Sequence, residues 1–176
     1  FNGDSFFIKA TDDYFICAVA DGLGSGLYAH DSSNAIREVV EQYQHEEVDV
    51  LIDYCNKVLK DKRGATVSLF KVDFLQRKIT YSSVGNIRFV VYSPSGQFFT
   101  PIPVCGYLSG KPQKYGMENF SYAKDAKFII HTDGIHIPDI KHVLTGFRSI
   151  EEMSNHLKMY TKTGKDDLTY IIGELY

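Results

Sequence analysis

The strongest constraint on the fold lies between residues 65 and 92, where three runs rich in Val, Ile, Phe, Tyr and Thr follow one another almost without pause. Ala65 to Val72, Lys78 to Val84 and Ile87 to Tyr92 each have the length and composition of a strand. The intervals, Phe74-Leu75-Gln76-Arg77 and Gly85-Asn86, leave no room for the crossover that parallel neighbours need. Gly85-Asn86 also fits a two-residue hairpin turn. The reading is an antiparallel meander, which excludes a doubly wound parallel sheet at this point of the chain.

The flanking segments fill in the layers. Phe6 to Ala10 and Tyr14 to Ala20 read as two strands joined at Thr11-Asp12-Asp13, and Asp21 breaks the second run before Gly22, Gly24 and Gly26. Ile36, Val39, Val40 and Tyr43 share one helix face, with Asp31, Ser32 or Ser33 as the expected N-cap. Val48, Leu51, Ile52, Cys55 and Leu59 form a second amphipathic stripe. Further on, Gln97 to Thr100, Phe120 to Tyr122 and Lys127 to His131 read as strands, with an irregular stretch from Pro101 to Gly116. Ser149-Ile150-Glu151-Glu152 is a capping box opening a helix with Ile150, Met153, Leu157 and Tyr160 on one side, and a last strand runs from Leu168 to Leu175. Meandering strands punctuated by helices point to an α+β chain, and strands apolar on both faces to sheets stacked with helices outside. The 176 residues are enough for one domain, 1–176, with a core of its own.

Charge and cysteine usage narrow the function. A net charge of −3 gives no general attraction to nucleic acid. The three cysteines, Cys17, Cys55 and Cys105, are odd in number and widely spaced, which favours reduced thiols over a disulfide framework. No apolar run has the length of a membrane span and no export signal is visible, so a cytoplasmic protein without a membrane partner is expected.

Three acidic turns carry the chemistry. Asp21, Asp133 and Asp166 each lie at the edge of an apolar strand, too far apart in sequence for a local ion-binding loop. If the fold brings them together, repulsion costs about 1 kcal/mol per pair in water and roughly 4 kcal/mol at an effective dielectric of 20. A divalent cation removes that cost, and a donor set of carboxylate, carbonyl and water oxygens selects Mg²⁺ or Mn²⁺ over Zn²⁺. The bland alternative is that Asp-Gly is common turn chemistry. His131 and His136, beside Asp133, read more simply as packed histidines, and Lys111, Lys114 and Arg88 as bases solvating a face. Gly24-Ser25-Gly26 lacks the Lys-Ser/Thr of a nucleotide-binding P-loop.

These blocks together resemble the metal-dependent protein phosphatases of type 2C (PPM), in the compact bacterial branch with sporulation and stress regulators. The likeness runs almost end to end: Gly3-Asp4, Val19-Ala20-Asp21-Gly22-Leu23-Gly24-Ser25-Gly26, Gly64-Ala65-Thr66, Ser83-Val84-Gly85-Asn86, Thr132-Asp133-Gly134 and Asp166-Asp167-Leu168-Thr169, six motifs in the family's order. The resemblance implies a four-layer α-β-β-α sandwich of two mostly antiparallel sheets flanked by helices, with two Mn²⁺ or Mg²⁺ ions at one end. It implies that the Asp21 carboxylate bridges both ions and the Gly22 carbonyl binds one, that Asp133 and Asp166 bind the other, and that Asp4 holds metal-bound water. Asp21, Asp133 and Asp166 then carry catalysis, in which water attacks phosphorus in line without a phosphoenzyme. The implied partners are phosphorylated stressosome-type proteins, dephosphorylated on serine or threonine as feedback on the general stress (sigma-B) response, by a monomeric enzyme.

Three positions depart from the family pattern. Leu23 stands where eukaryotic members place a histidine, a candidate general acid, and Asn86 where many relatives have an aspartate that serves a third ion. The interval from Asp133 to Asp166 is too short for the flap subdomain of many relatives, so an open site is expected. Leu23 supports the rival reading, a phosphatase-like scaffold that docks phosphoprotein partners with little turnover.

Overall fold

The computed structural model describes residues 1–133, 140–146, 149–160 and 167–176. In chain order the strands are β1 (Asp4–Ala10), β2 (Tyr14–Gly22), β3 (Ala65–Asp73), β4 (Lys78–Val84), β5 (Arg88–Tyr92), β6 (Phe98–Phe99), β7 (Gly116–Ser121), β8 (Ala126–His131) and β9 (Tyr170–Leu175). The helices are α1 (Gly26–Gln42), α2 (Val48–Lys57), α3 (Ile140–Gly146) and α4 (Ile150–Leu157). One sheet has the order β1-β2-β3-β4-β7 and the other β6-β5-β8-β9, with every pairing antiparallel.

Period-2 alternation explains why β2 is apolar on both faces. Ile16, Ala18 and Ala20 pack with Ile36, Val40, Leu51 and Ile52 of α1 and α2, whereas Cys17 and Val19 join Phe70, Phe89, Phe128 and Ile130 between the sheets. A third core sets Val90 and Ile129 against Val143, Leu144, Met153 and Leu157 of α3 and α4. Three cores separate four layers, the α-β-β-α sandwich that the resemblance implies. Each fully buried Leu, Ile or Phe contributes about 1.5–3 kcal/mol, and Phe70 stacks on Phe89 with ring centroids 4.4 Å apart in the middle core.

Three local expectations are corrected. Gly85-Asn86 is not a hairpin turn, because β4 belongs to the first sheet and β5 to the second. It is the corner between them, where Gly85 adopts φ +112° and a side chain would run into Thr66. Asp21 does not break β2: the ladder continues, pairing Asp21 with Thr66 and Gly22 with Ala65. Finally, α1 begins at Gly26 with Ser25 as N-cap, ahead of Asp31, Ser32 and Ser33. Ser32 and Ser33 are buried inside the helix, where Ser33 Oγ meets Ser5 Oγ at 2.9 Å and Ser32 Oγ accepts from Gly64 N.

The capping box at Ser149 forms as expected, its Oγ accepting from Glu152 N at 3.2 Å. Helix α3 has no counterpart in the sequence reading, since its seven residues give a single apolar turn. Between β8 and β9 the described residues make α3, α4 and a 3-10 turn at Lys158–Tyr160, with α3 and α4 packed on the second sheet. Among the described residues no helix is long and apolar enough to cross a membrane.

Candidate metal centre

Strand register builds the floor of the site. Asp4 pairs with Asp21, and Asp21 with Thr66. Residues directly opposite in a ladder share a face. By alternation that face is the one carrying Cys17 and Val19, so the three side chains project into the mouth between the sheets. Gly22 is required beside them, because a side chain there would run into the Ala29 backbone of α1. Gly22 is buried, with its N–H donating to Gly3 O, and its main chain lines the cleft.

The second sheet supplies the opposite wall. Thr132, just past β8, is bonded twice to Thr169, just before β9: Thr132 N donates to Thr169 O at 3.0 Å, and Thr169 N donates to the side-chain Oγ1 of Thr132 at 3.0 Å. Thr132 Oγ1 then donates to Asp4 Oδ2 at 3.0 Å, tying the two sheets together at the site. Asp133 accepts from Asn86 Nδ2 at 2.9 Å, and Asp167 Oδ2 accepts from Gly3 N at 2.6 Å. The resulting cleft of about 280 Å³ is lined by Asp21, Gly22, Thr66, Asn86, Asp133 and Asp167 among others.

This crowding has an electrostatic signature. Burial pushes the Asp21 carboxyl up to about 7, and Asp4, Asp133 and Asp167 push it the same way. Asp4 is also raised, by burial first, against the opposing pull of hydrogen bonds from Thr132 and Thr169. Only 7 % of Asp4 is exposed, and its second oxygen, Oδ1, is buried without a hydrogen-bond partner. An orphaned carboxylate oxygen in a wall of oxygen donors suits a hard divalent cation. Among the described residues no three His, Cys, Asp or Glu side chains are grouped tightly enough to hold an ion by themselves.

Of the residues expected from sequence, Asp4, Asp21, Gly22 and Asp133 come to this one end of the sandwich, and Asp166 lies outside the described residues. The sequence reading missed Asp167 as a lining residue and Thr132 as the tie between sheets, although both stand inside the motifs it used. His131 is buried, with Nδ1–H donating to the Thr132 carbonyl at 2.9 Å, and burial lowers its basicity, so it packs as a neutral ring. His136 lies outside the described residues. Lys111 and Lys114 sit on a loop that Asn56 fastens to α2 through the Lys111 carbonyl, away from the cleft lining. Cys17 and Cys55 are buried free thiols and Cys105 an exposed one.

Comparison with known proteins decides the family. The model of the Stage II sporulation protein E (SpoIIE) family matches residues 11–173. The chain belongs to the SpoIIE family. This SpoIIE member is 58% identical over 173 residues to the phosphoserine phosphatase RsbX of Bacillus subtilis (strain 168), covering 98% of this chain and 87% of that one. A crystal structure of RsbX in complex with magnesium superposes with a TM-score of 0.97 at 57% identity, covering 100% of this chain and 88% of that one. A structure from the bacterial stressosome, described as a modular system adapted to control secondary messenger signalling, gives 0.82 at 26% identity, covering 97% and 90%. The PP2C phosphatase domain of SpoIIE from Bacillus subtilis gives 0.80 at 19% identity, covering 97% and 57%, a likeness of fold.

Proposed function

We infer that this SpoIIE-family chain is a Mg²⁺- or Mn²⁺-dependent phosphatase that hydrolyses phosphoserine or phosphothreonine on stressosome-type regulatory proteins, as feedback on the general stress response. The observation that carries the reading is the set of carboxylates around Asp21, in a chain 58% identical to a phosphoserine phosphatase. A binding protein has no need to hold Asp21 against burial and three like-charged neighbours. An enzyme that recruits cations does.

Asp21, the Gly22 carbonyl, Asp4, Asp133 and Asp166 are the residues we propose to hold the ions, and Asp167 belongs beside them because it lines the cleft. Bound Mg²⁺ or Mn²⁺ supplies the positive charge that phosphoryl oxygens need and lowers the pKa of water towards neutrality. The chain does the rest by position. Asp21 and Asp4 face each other in the floor, and Thr132 fixes the orientation of Asp4 by donating to one of its oxygens. Asn86 holds Asp133 at the rim, and Gly3 N holds Asp167. Leu23, whose backbone N–H donates to Gly64 O, brings no proton donor to the cleft. With no imidazole at this position, we propose that water protonates the seryl leaving group or that turnover is modest. Residues 1–176 act as one catalytic domain, and we propose a cytoplasmic monomer with neither nucleic acid nor membrane as partner.

Phosphate release from a phosphoserine peptide tests this. The wild-type chain with Mn²⁺ should release phosphate, whereas the same chain with EDTA and the Asp21→Asn variant should not. Equal release from all three samples would remove the metal-dependent mechanism. Release from none would favour the scaffold reading.

A further inference from the structure

Beside the acidic cleft lies a second groove of about 570 Å³, and the two share Thr66, Asn86 and Asp133 as a common wall. That volume is in the ~300–1,000 Å³ range of ligand sites. Beyond the shared wall the groove is lined by Arg88 and His131, which pair across β5 and β8, and by Pro103, Cys105 and Gly106. Arg88 is exposed and lines this groove but not the acidic cleft. Among the described lining residues it is the one standing cation, and no hydrogen bond or ion pair with a described residue occupies its guanidinium. Asp133, the nearest acidic residue of the groove, is bonded to Asn86 instead. Among the described residues, then, nothing pairs with the arginine beside the cleft where the phosphatase reading places the phosphoester.

We propose that this groove receives the polypeptide flanking the phosphorylated residue, and that Arg88 selects substrates with an Asp or Glu two residues from the phosphoserine. The proposal rests on the phosphatase reading and deepens it by naming the substrate class. Its geometry is simple. The phosphate belongs at the aspartates, so a group in the adjoining groove meets the substrate beyond its phosphate. Asn86 sits at the corner between the sheets and Arg88 opens β5 just beyond it, so the arginine stands past the shared wall, where the alternate side chains of an extended substrate, roughly 6–7 Å apart, can reach it. A guanidinium offers a carboxylate two parallel N–H donors, so the contact is directional as well as electrostatic.

The test uses the full chain with Mn²⁺ and three phosphoserine peptides identical except at the positions two residues either side of the phosphoserine, which carry Glu, Gln or Lys. Wild type should show a KM about three- to five-fold lower for the Glu peptide than for the Gln peptide, with similar kcat, the gain expected of one exposed charge pair. Arg88→Ala should erase that difference, and Arg88→Glu should reverse it in favour of the Lys peptide. Neither substitution should change kcat/KM on p-nitrophenyl phosphate by more than about two-fold, since that substrate has no flanking residues. A wild-type enzyme indifferent to the three peptides, or a Glu preference that survives Arg88→Ala, would overturn the proposal. So would an Arg88→Ala loss equally large on p-nitrophenyl phosphate, which would place the arginine on the phosphate itself. If wild type hydrolyses none of these substrates, the phosphatase reading fails. The groove is then judged by fluorescence anisotropy of labelled peptides: tighter binding of the Glu peptide that depends on Arg88 supports it, and equal binding overturns it.

Discussion

The floor and the rim of the cleft are built on opposite terms. The floor, Asp4, Asp21 and Thr132, is buried or half-buried and fixed by ladder register and by a hydrogen bond that crosses between sheets. The rim, Asn86, Asp133 and Asp167, is exposed and held by single contacts. In the floor the fold keeps carboxyl groups in place against their own electrostatics, which is where an added cation has the largest effect. At the rim water screens the same charges, and side chains are free to recognise what arrives. The electrostatic cost is therefore concentrated in the floor, while Asp133 and Asp167 at the rim complete the oxygen donor set at little cost of their own.

The largest expected effect comes from breaking the floor at its centre. Asp21→Asn should lower phosphate release by about a thousand-fold or more, the scale on which single groups in preorganised electrostatic sites act. The same substitution should raise the melting temperature of the metal-free protein by about 2–4 °C for each kcal/mol of repulsion relieved. Loss of activity with gain of stability is the pairing to look for, and a variant both inactive and less stable would contradict this account of the floor.

Second is the pH dependence of the metal-free chain. Asp21 titrates near 7 when folded and near 3.9 when unfolded. Below about pH 4 both states hold the proton. Between about pH 4 and 7 the unfolded chain releases it and the folded chain retains it, so stability falls as pH rises through that window and levels off above it. Urea midpoints in EDTA should show this fall, and saturating Mg²⁺ should raise the midpoint more at pH 7.5 than at pH 5.

Third, Thr132→Val removes the tie between the sheets, taking away both the Oγ1 donor to Asp4 and the acceptor for Thr169 N, at a cost of about 1–3 kcal/mol in urea unfolding. The smallest effect is expected at the rim. Asn86→Asp turns a donor to Asp133 into a second carboxylate, yet exposure should limit the metal-free loss to about 0.5–1 kcal/mol, with recovery in Mn²⁺. A rim variant more damaging than Thr132→Val would erase the contrast between the two regions.

The fold was largely legible in sequence because period-2 alternation and short intervals are local signals. β2, β3 and the Ser149 cap could be read from neighbouring residues alone. Gly85-Asn86 defeated the same logic, since a corner between sheets and a hairpin turn call for the same residue types, and only the packing of Val84 and Phe89 into different sheets separates them. The start of α1 was misplaced because Ser32 and Ser33 look like caps, while their hydroxyls are spent on Ser5 and Gly64, partners distant in sequence. Likewise Asp4 and Asp21 each mark a strand end, but their pairing is a matter of register that no local pattern encodes. Asp167 was passed over beside Asp166 because two adjacent aspartates in a turn carry no local mark of which one faces the cleft.

The most direct test of the central claim is isothermal titration of Mn²⁺ into the metal-free protein at pH 7 in buffers of different ionisation enthalpy. If a cation takes the place of the proton on Asp21, about half a proton should leave per binding event at pH 7 and almost none at pH 8.5. Asp21→Asn should bind Mn²⁺ far more weakly and release no proton. Wild-type binding with no proton release at pH 7, or Mn²⁺ affinity unchanged in Asp21→Asn, would contradict the account.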